Sequence, residues 1–211
     1  RGAGDSTICI CCVRKLTGCE YRIMPDRIAA ATYISAAAIT NGEITIKDIR
    51  PAHIDSFITL FEQMGCHIYT YANNIYLNAK KPLKSIRIIK TMPYPGFPTD
   101  AQAVTMAALC KAKGTSVFEE NIFENRYRHV DELLRMGANI KVVGKAAIVE
   151  GVDKLYGAKV TATDLRGGAA LVVAAVGAEG ITEISEIKHI DRGYDSIEDV
   201  LSSIGVKIYR E

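Results

Sequence analysis

The chain has 211 residues, of which 48% are apolar and 24% are charged, and its formal net charge is +2. These values are typical of a globular protein with a sizeable core, and they exclude a disordered chain and a strongly basic polyanion binder. No apolar run reaches the ~18 residues of a membrane-spanning helix and no signal peptide is recognisable, so we expect a cytoplasmic protein without nucleic-acid or membrane partners.

The start of the chain is strand-like and rich in cysteine. A strand is predicted from Thr7 to Ile10, and because the chain begins at Arg1 rather than Met, we expect that an upstream part of the protein is missing. The spacing of the first four cysteines lacks the paired CxxC motifs or the histidines typical of a zinc site, so buried or half-buried thiols in a reducing compartment are favoured. A metal site between Cys9 and Cys19 is the alternative. The six cysteines are Cys9, Cys11, Cys12, Cys19, Cys66 and Cys110.

The rest of the chain repeats one order of features three times, near residues 25–77, 98–150 and 162–211. Each repeat has an Asp, an apolar run of small residues, a Gly, a β-rich segment, an amphipathic run, a second Gly and a final strand. Such a period predicts one domain built from three equivalent units.

Two classes of helix are predicted. The first helix of each repeat is apolar on nearly every face, over 28–39, 101–110 and 169–178, which indicates burial all round. The second is amphipathic, over 54–64, 129–136 and 195–204, and a Gly follows it as a left-handed cap. Strands are predicted over 43–49, 66–71, 74–77, 85–89, 115–122, 138–143, 147–150, 181–187 and 206–209. The predicted fold class is α/β (α+β): a pseudo-threefold domain of β-α-β-α-β-β-like repeats with the apolar helices inside.

Each buried helix has an Asp at its start. A short acceptor in that position satisfies free backbone N–H groups, so from the residues alone Asp26, Asp100 and Asp164 are interpreted as helix caps.

The arginines of the chain have ordinary interpretations too. Arg166 is interpreted as a partner of Asp164, and Arg192 as a partner of Asp191 or Asp195, in surface pairs of little energetic value. A structural ion pair is the ordinary interpretation of Glu124 and Arg126.

A basic stretch runs from Lys80 to Lys90. It lacks the interleaved exposed aromatic residues of a nucleic-acid surface, so it is interpreted as a solvated linker and strand edge.

Six strings in a fixed order resemble the UDP-N-acetylglucosamine 1-carboxyvinyltransferase family. The resemblance implies an inside-out α/β domain of the enolpyruvyl transferase type over residues 23–211, the C-terminal domain, with residues 1–22 ending the preceding N-terminal domain. The strings are Tyr21–Ile28, Pro95–Asp100, Phe123–Arg126, Arg135–Ala138, Ala162–Arg166 and His189–Tyr194.

The resemblance also implies an activity. The family transfers enolpyruvate from phosphoenolpyruvate to the 3′-hydroxyl of UDP-N-acetylglucosamine in peptidoglycan synthesis, releases phosphate, and needs no metal or organic cofactor. Asp100 matches the carboxylate that contacts the sugar hydroxyl as the candidate base, and Arg192 and Arg166 match arginines that bind the pyruvyl carboxylate. Ile122 matches the position whose backbone meets the amino sugar. Phe123 beside it and Asp164 complete the expected substrate-binding set.

The family's phosphate-binding lysine and arginine, its reactive cysteine and most of its uridine contacts lie in the upstream half. We therefore expect the missing N-terminal domain to be a partner and the chain alone to be inactive. The family's usual Glu and Gly are replaced here by Ala29 and Ala31. The alternative is a divergent paralogue, or a binding module without turnover.

Overall fold

A computed structural model describes Gly2 and residues 7–211. Its regular elements form three successive groups, and the first strands of the second and third groups lie before the predicted ranges 98–150 and 162–211. The first repeat contains α1 (Arg27–Ile39), β1 (Glu43–Ile46), α2 (Asp55–Gln63), β2 (His67–Tyr71) and β3 (Asn74–Asn78). The second contains β4 (Ile89–Lys90), α3 (Thr99–Leu109), β5 (Thr115–Glu119), α4 (Val130–Arg135), β6 (Asn139–Val143) and β7 (Ala146–Glu150). The third contains β8 (Lys159–Thr161), α5 (Leu165–Val176), β9 (Glu183–Ser185), α6 (Lys188–Asp191) and α7 (Ile197–Ser203).

Three helices, not a sheet, occupy the centre of the domain. Helices α1, α3 and α5 pack against one another in all three pairings. Every residue of α3 from Ala101 to Leu109 is buried, and the eight residues of α5 from Gly167 to Ala174 are buried too. Small side chains permit this close approach, because little volume separates the backbones. The predicted helices-inside arrangement is confirmed.

The sheets lie outside these helices. The first has the strand order β1-β3-β2, with antiparallel pairs that place Ile44 opposite Leu77. The second has the order β4-β5-β7-β6, in which β4 pairs with β5 in parallel. In the third, β8 and β9 also pair in parallel. The second repeat therefore has the full predicted β-α-β-α-β-β order.

The turns that follow the second helices keep the repeat geometry. Gly65, Gly137 and Gly205 have φ angles of 97°, 88° and 99°. This is the left-handed region in which a residue with a Cβ is strained, so the predicted glycine caps are confirmed at equivalent places in all three repeats.

Three strand predictions are wrong or too long. Residues 7–22 and 206–209 contain no strand, and the segment predicted over 85–89 contributes only to β4. A strand needs a neighbour for its backbone groups. Strands β5 and β9 each pair with a parallel neighbour, β4 and β8, whereas β1 has no parallel neighbour within the described part of the chain.

The cysteines divide into two groups. Cys66 and Cys110 are buried, as their apolar patterns predict, and burial raises the pKa of each thiol to about 12. The prediction of buried thiols is wrong for the first four cysteines, since Cys9, Cys11, Cys12 and Cys19 are all exposed. They lie within residues 7–22, which form no strand in the part of the chain that the structure describes.

The basic stretch is the predicted strand edge. Its lysines and its arginine are exposed, and β4 lies at the edge of its sheet. Lys80 pairs with Glu43 at 3.1 Å and Lys90 pairs with Glu119 at 3.0 Å, so the edge is charged and locally neutralised. Within Gly2 and residues 7–211, no helix combines the length and apolar character needed to cross a membrane.

A close contact at one end of the central helices supplies a stability test. A Cβ on Gly177, which ends α5, would lie 2.8 Å from Cγ1 and Cδ1 of Ile39 at the end of α1. We expect Gly177→Ala to lower the free energy of unfolding by about 1–3 kcal/mol through overpacking. Ile39→Ala alone should cost about 2–5 kcal/mol through a cavity.

The double variant should lose clearly less than the sum of the two single losses, because the new methyl group occupies the space that Ile39 vacates. Urea unfolding of the four proteins measures this coupling. Additive losses would show that these two helix ends are not in contact.

Candidate active site at the helix N-termini

The three aspartates at the helix starts do not have the same role. Asp26 Oδ1 accepts from the N–H groups of Ile28 and Ala29, at 2.7 and 3.2 Å, and caps α1. Asp164 Oδ1 accepts from the N–H groups of Arg166 and Gly167, at 3.0 and 2.9 Å, and caps α5. The cap prediction is confirmed for these two.

The cap prediction is wrong for Asp100. Helix α3 begins one residue before Asp100, at Thr99, and its cap position is Pro98, which has no side-chain acceptor. Asp100 therefore lies within the first turn, and its carboxylate accepts from arginine side chains instead of from backbone N–H groups.

Two arginines from distant segments hold the Asp100 carboxylate. Arg126 Nη2 lies 2.6 Å from Oδ1, and Arg166 Nη2 lies 3.3 Å from Oδ2. The arginine side chains are only 19% and 16% exposed, whereas that of Asp100 is 42% exposed. The carboxylate is thus oriented from the protein side and accessible to a ligand from the solvent side. The expected local pairs of Arg126 with Glu124 and of Arg166 with Asp164 are wrong, because both guanidinium groups reach Asp100.

A buried carboxylate organises the loop that carries Arg126. Glu120 is 3% exposed. Its Oε1 accepts from the hydroxyl of Thr91 at 2.8 Å and from the N–H groups of Ile122 and Phe123 at 2.9 and 3.2 Å. Its Oε2 accepts from the hydroxyl of Thr99, the first residue of α3, at 3.0 Å. Glu120 therefore ties this loop to the helix of Asp100.

The loop presents two exposed apolar side chains. Ile122 is 38% exposed and Phe123 is 55% exposed. The guanidinium carbon of Arg126 lies 5.3 Å from the centre of the Phe123 ring, a cation–π contact. The family resemblance placed Ile122 and Phe123 at a ligand, whereas the residue pattern assigned Arg126 only a local partner and did not single out Glu120. Nothing local marks an arginine or a glutamate whose partner lies in another segment.

A buried histidine lies behind the arginines. His129 is 1% exposed, and its Nε2 has no hydrogen-bond partner. Burial lowers its pKa to about 4; the charge of Arg126 lowers it further, while Asp164 and the backbone carbonyl of Arg126 oppose the shift. The pKa of Asp164 is lowered although burial opposes this, because the N–H group of Gly167, the charge of Arg126 and the N–H group of Arg166 favour its carboxylate form. Because the pKa of His129 is about 4, its imidazole is neutral at pH 7.

Arg192 is the most available cation of the expected set. It ends α6 and is exposed, and no ion pair involves it in the described part of the chain. The expected pairing with Asp191 or Asp195 is wrong, because Asp191 binds Arg210 at 2.8 Å and the ion pairs of the described residues include none between Arg192 and Asp195. The structure thus brings Asp100, Arg126, Arg166 and Asp164 together, and it leaves Arg192 free of local partners. Among Gly2 and residues 7–211, no three His, Cys, Asp or Glu side chains are grouped so that they could hold a metal ion.

Comparison with known proteins identifies close relatives. The family model described as EPSP synthase (3-phosphoshikimate 1-carboxyvinyltransferase) matches residues 1–201. UDP-N-acetylglucosamine 1-carboxyvinyltransferase 2 of Clostridium acetobutylicum is 50% identical over 211 residues, which are 100% of this chain and 50% of that protein. UDP-N-acetylglucosamine 1-carboxyvinyltransferase of Desulfofundulus thermocisternus is 49% identical over 211 residues, which are 86% of that protein. The chain spans about half the length of most of these curated relatives.

Solved structures agree on the fold. The enolpyruvyl transferase NikO from Streptomyces tendae superposes with a TM-score of 0.79 at 25% identity, covering 89% of this chain and 44% of that one. EPSP synthase from Acinetobacter baumannii superposes with a TM-score of 0.72 at 18% identity, covering 90% of this chain and 47% of that one. The expected inside-out α/β fold is confirmed.

The buried imidazole gives the chain a specific acid sensitivity. Because the pKa of His129 is about 4 in the folded chain and 6.5 is its ordinary value, the unfolded chain binds more protons between these values. Stability should therefore be complete above about pH 6.5 and fall as the pH is lowered towards 4, with a slope approaching about 1.4 kcal/mol per pH unit.

Urea unfolding at pH 7.5, 6.0 and 5.0 measures this loss. His129→Gln removes the titrating group and should flatten the dependence, whereas His67→Gln, which removes an exposed imidazole, should leave it unchanged. Equal slopes for wild type and His129→Gln would contradict the assignment of the acid sensitivity to His129.

Proposed function

Because the chain belongs to the EPSP synthase family of enolpyruvyl transferases, we propose that it is the C-terminal domain of an enzyme that transfers enolpyruvate from phosphoenolpyruvate to the 3′-hydroxyl of UDP-N-acetylglucosamine. The names of the curated relatives support this choice of acceptor. The observation that carries the proposal is the accessible Asp100 carboxylate held by Arg126 and Arg166. This step belongs to peptidoglycan synthesis, and we place it in the cytoplasm, without a metal or organic cofactor.

Asp100 is the proposed base. A bond forms between the sugar 3′-oxygen and the enolpyruvyl carbon, the bond from that carbon to the phosphate oxygen breaks, and the hydroxyl proton must leave. A half-exposed carboxylate fixed on its inner side is suited to take that proton.

Arg166 and Arg192 are the proposed receptors for the pyruvyl carboxylate. A guanidinium group binds a carboxylate through two parallel N–H groups, which a lysine cannot do. Arg166 lies beside Asp100, and Arg192 is exposed and free of an ion pair within the described residues. The Ile122–Phe123 loop and Asp164 border the same region and are proposed to contact the amino sugar and its hydroxyl groups.

The segment before α1 supports the presence of another domain. Its apolar side chains are largely exposed: Ile8 63%, Ile10 85%, Leu16 86%, Tyr21 74% and Ile23 83%. Several exposed apolar side chains in one short segment are typical of an interaction surface. We propose that residues 1–22 belong to the preceding domain, which supplies the phosphate-binding residues. Within this segment, Arg1 and residues 3–6 lie outside the residues that the structure describes.

Ala29 and Ala31 do not favour the alternative of a module without turnover. Both lie in α1, whereas Asp100, Arg126 and Arg166 come from the second and third repeats. A measurement of turnover by the full-length protein decides between a transferase and a binding module without turnover.

The division of the site between two domains gives the first functional test. The full-length protein should release phosphate from phosphoenolpyruvate and UDP-N-acetylglucosamine, and the 211-residue chain alone should not, because the cations for the phosphate lie in the other domain. A phosphate-release assay with both proteins and each substrate omitted in turn measures this. Turnover by the chain alone would overturn the two-domain proposal.

The proposed role of Asp100 gives the second functional test. In the full-length protein Asp100→Asn should lower kcat about 100-fold or more, the usual contribution of a general base, with the fold retained. The matched control is Asp199→Asn, an exposed aspartate in the first turn of α7, which should retain wild-type turnover. Normal kcat in Asp100→Asn would remove Asp100 from catalysis.

A further inference from the structure

Glu120 is a buried acidic residue to which the proposed chemistry gives no role. Its side chain is 3% exposed, and no lysine or arginine pairs with it in the part of the chain that the structure describes. Its four hydrogen-bond donors are two hydroxyl groups and two backbone N–H groups. Replacing a buried polar group and its partners by apolar groups is often neutral for stability, so packing alone does not account for this carboxylate.

Thr91 strengthens the hold of Glu120 on the loop. Its hydroxyl donates to Glu120 Oε1 at 2.8 Å, and the same oxygen accepts from the N–H group of Asn121 at 2.8 Å. Thr91 is 1% exposed and follows β4 directly. Together the two side chains receive the N–H groups of three consecutive residues, Asn121, Ile122 and Phe123.

The direction of these N–H groups fixes the direction of the neighbouring carbonyl groups. A peptide unit is planar and trans, so its C=O points away from the side on which its N–H lies. The carbonyls of Asn121 and Ile122 share peptide units with the bound N–H groups of the next residues, and they therefore point away from Glu120. Within Gly2 and residues 7–211, no backbone N–H donates to either carbonyl. The loop thus turns hydrogen-bond acceptors outwards.

The second oxygen of Glu120 sets the place of the loop. Oε2 accepts from the hydroxyl of Thr99 at 3.0 Å, and Thr99 directly precedes Asp100 in the first turn of α3. Arg126, further along the loop, makes a second connection through its 2.6 Å contact with Asp100. The outward carbonyls and the Asp100 carboxylate are therefore held in a fixed relation by two separate links.

We propose that Glu120 is a positioning residue for the acceptor sugar: it turns two carbonyl groups of the loop outwards and holds them beside Asp100. The hydroxyl and amide N–H groups of an amino sugar are donors that suit a surface of this polarity, whereas a phosphate needs donors from the protein. The inference rests on the proposed function for the identity of the sugar. Because Glu120 is buried, it acts through the loop and not by contact with substrate.

Three variants of the full-length protein test this role. Glu120→Ala removes every contact of the carboxylate. Glu120→Gln keeps one oxygen for the N–H groups of the loop, and its amide group can donate to the hydroxyl of Thr99 instead of accepting from it. Thr91→Val removes a buried hydroxyl with little change in volume, and it tests the same loop if Glu120→Ala does not fold.

The matched control is Ser116→Ala. Ser116 is 1% exposed, and its hydroxyl accepts from the N–H group of Ile86 at 2.9 Å, just as that of Thr91 accepts from Asn121. Both contacts join residues 30 positions apart. Ser116 lies near the start of β5, however, whereas Glu120 follows the end of that strand. The measurements are kcat, KM for each substrate and the thermal midpoint.

We expect Thr91→Val to raise KM for UDP-N-acetylglucosamine about tenfold, the effect of losing one hydrogen bond to a charged group, with little change in KM for phosphoenolpyruvate. Glu120→Ala should raise the same constant further, and Glu120→Gln should stay close to wild type. Ser116→Ala should lower the thermal midpoint, as Thr91→Val does, with both KM values unchanged. Equal rises in the two KM values of Thr91→Val, or no difference between Thr91→Val and Ser116→Ala, would overturn the inference.

A second set of readouts does not depend on turnover. Hydrogen–deuterium exchange of the peptide containing residues 120–124, followed by mass spectrometry, should be faster in Thr91→Val than in wild type and unchanged in Ser116→Ala. The calorimetric Kd for UDP-N-acetylglucosamine alone should rise in Thr91→Val only. Unchanged exchange, or faster exchange with an unchanged Kd, contradicts the role of Glu120. A wild-type protein that releases no phosphate contradicts the proposed function instead, and exchange and Kd still decide whether Glu120 positions the loop.

Discussion

The close packing of three small-residue helices is the constraint on which the rest of this domain depends. Helices α3 and α5 lie side by side in the centre, which brings Asp100 in the first turn of one within 3.3 Å of Arg166 in the first turn of the other. Larger side chains on these helices would separate their axes and part this pair. The alanines and glycines of the core therefore have two consequences: they permit an interior made of helices, and they set the spacing of the charged groups at its end.

Much of the fold could be predicted from the sequence because its strongest signals are local. The apolar character of 101–110 on every face is a property of that segment alone, and so are the left-handed glycines that end the second helices. Strand predictions were less reliable because a strand exists only with a neighbour. Thr7–Ile10 and 206–209 have suitable residues, yet neither pairs with a strand among the described residues. The exposure of the first cysteines follows from the same missing partner.

The site could be predicted only in part, since its contacts join distant segments. From the residues alone, Asp100 resembled its counterparts Asp26 and Asp164. Its carboxylate is released from capping because α3 begins before it rather than after it, a difference too small for a sequence pattern to show. The partners of Asp100 lie 26 and 66 positions away, and no local signal marks Arg126 or Glu120. The family resemblance selected Asp100 and Arg166, whereas the pairing of the two comes from the structure.

The three repeats share a fold but contribute different side chains to the site. At the start of its buried helix, the second repeat has a carboxylate that is not needed as a cap. The third repeat keeps the cap, and the residue two positions after it, Arg166, reaches across to that carboxylate. The first repeat supplies neither group, but its helix offers Thr32, to which Tyr194 is bound. A duplicated unit can diverge in this way because each helix start tolerates a different side chain while the packing behind it stays the same. The asymmetry of the site therefore arises at the helix ends, and the symmetry of the core is what holds those ends together.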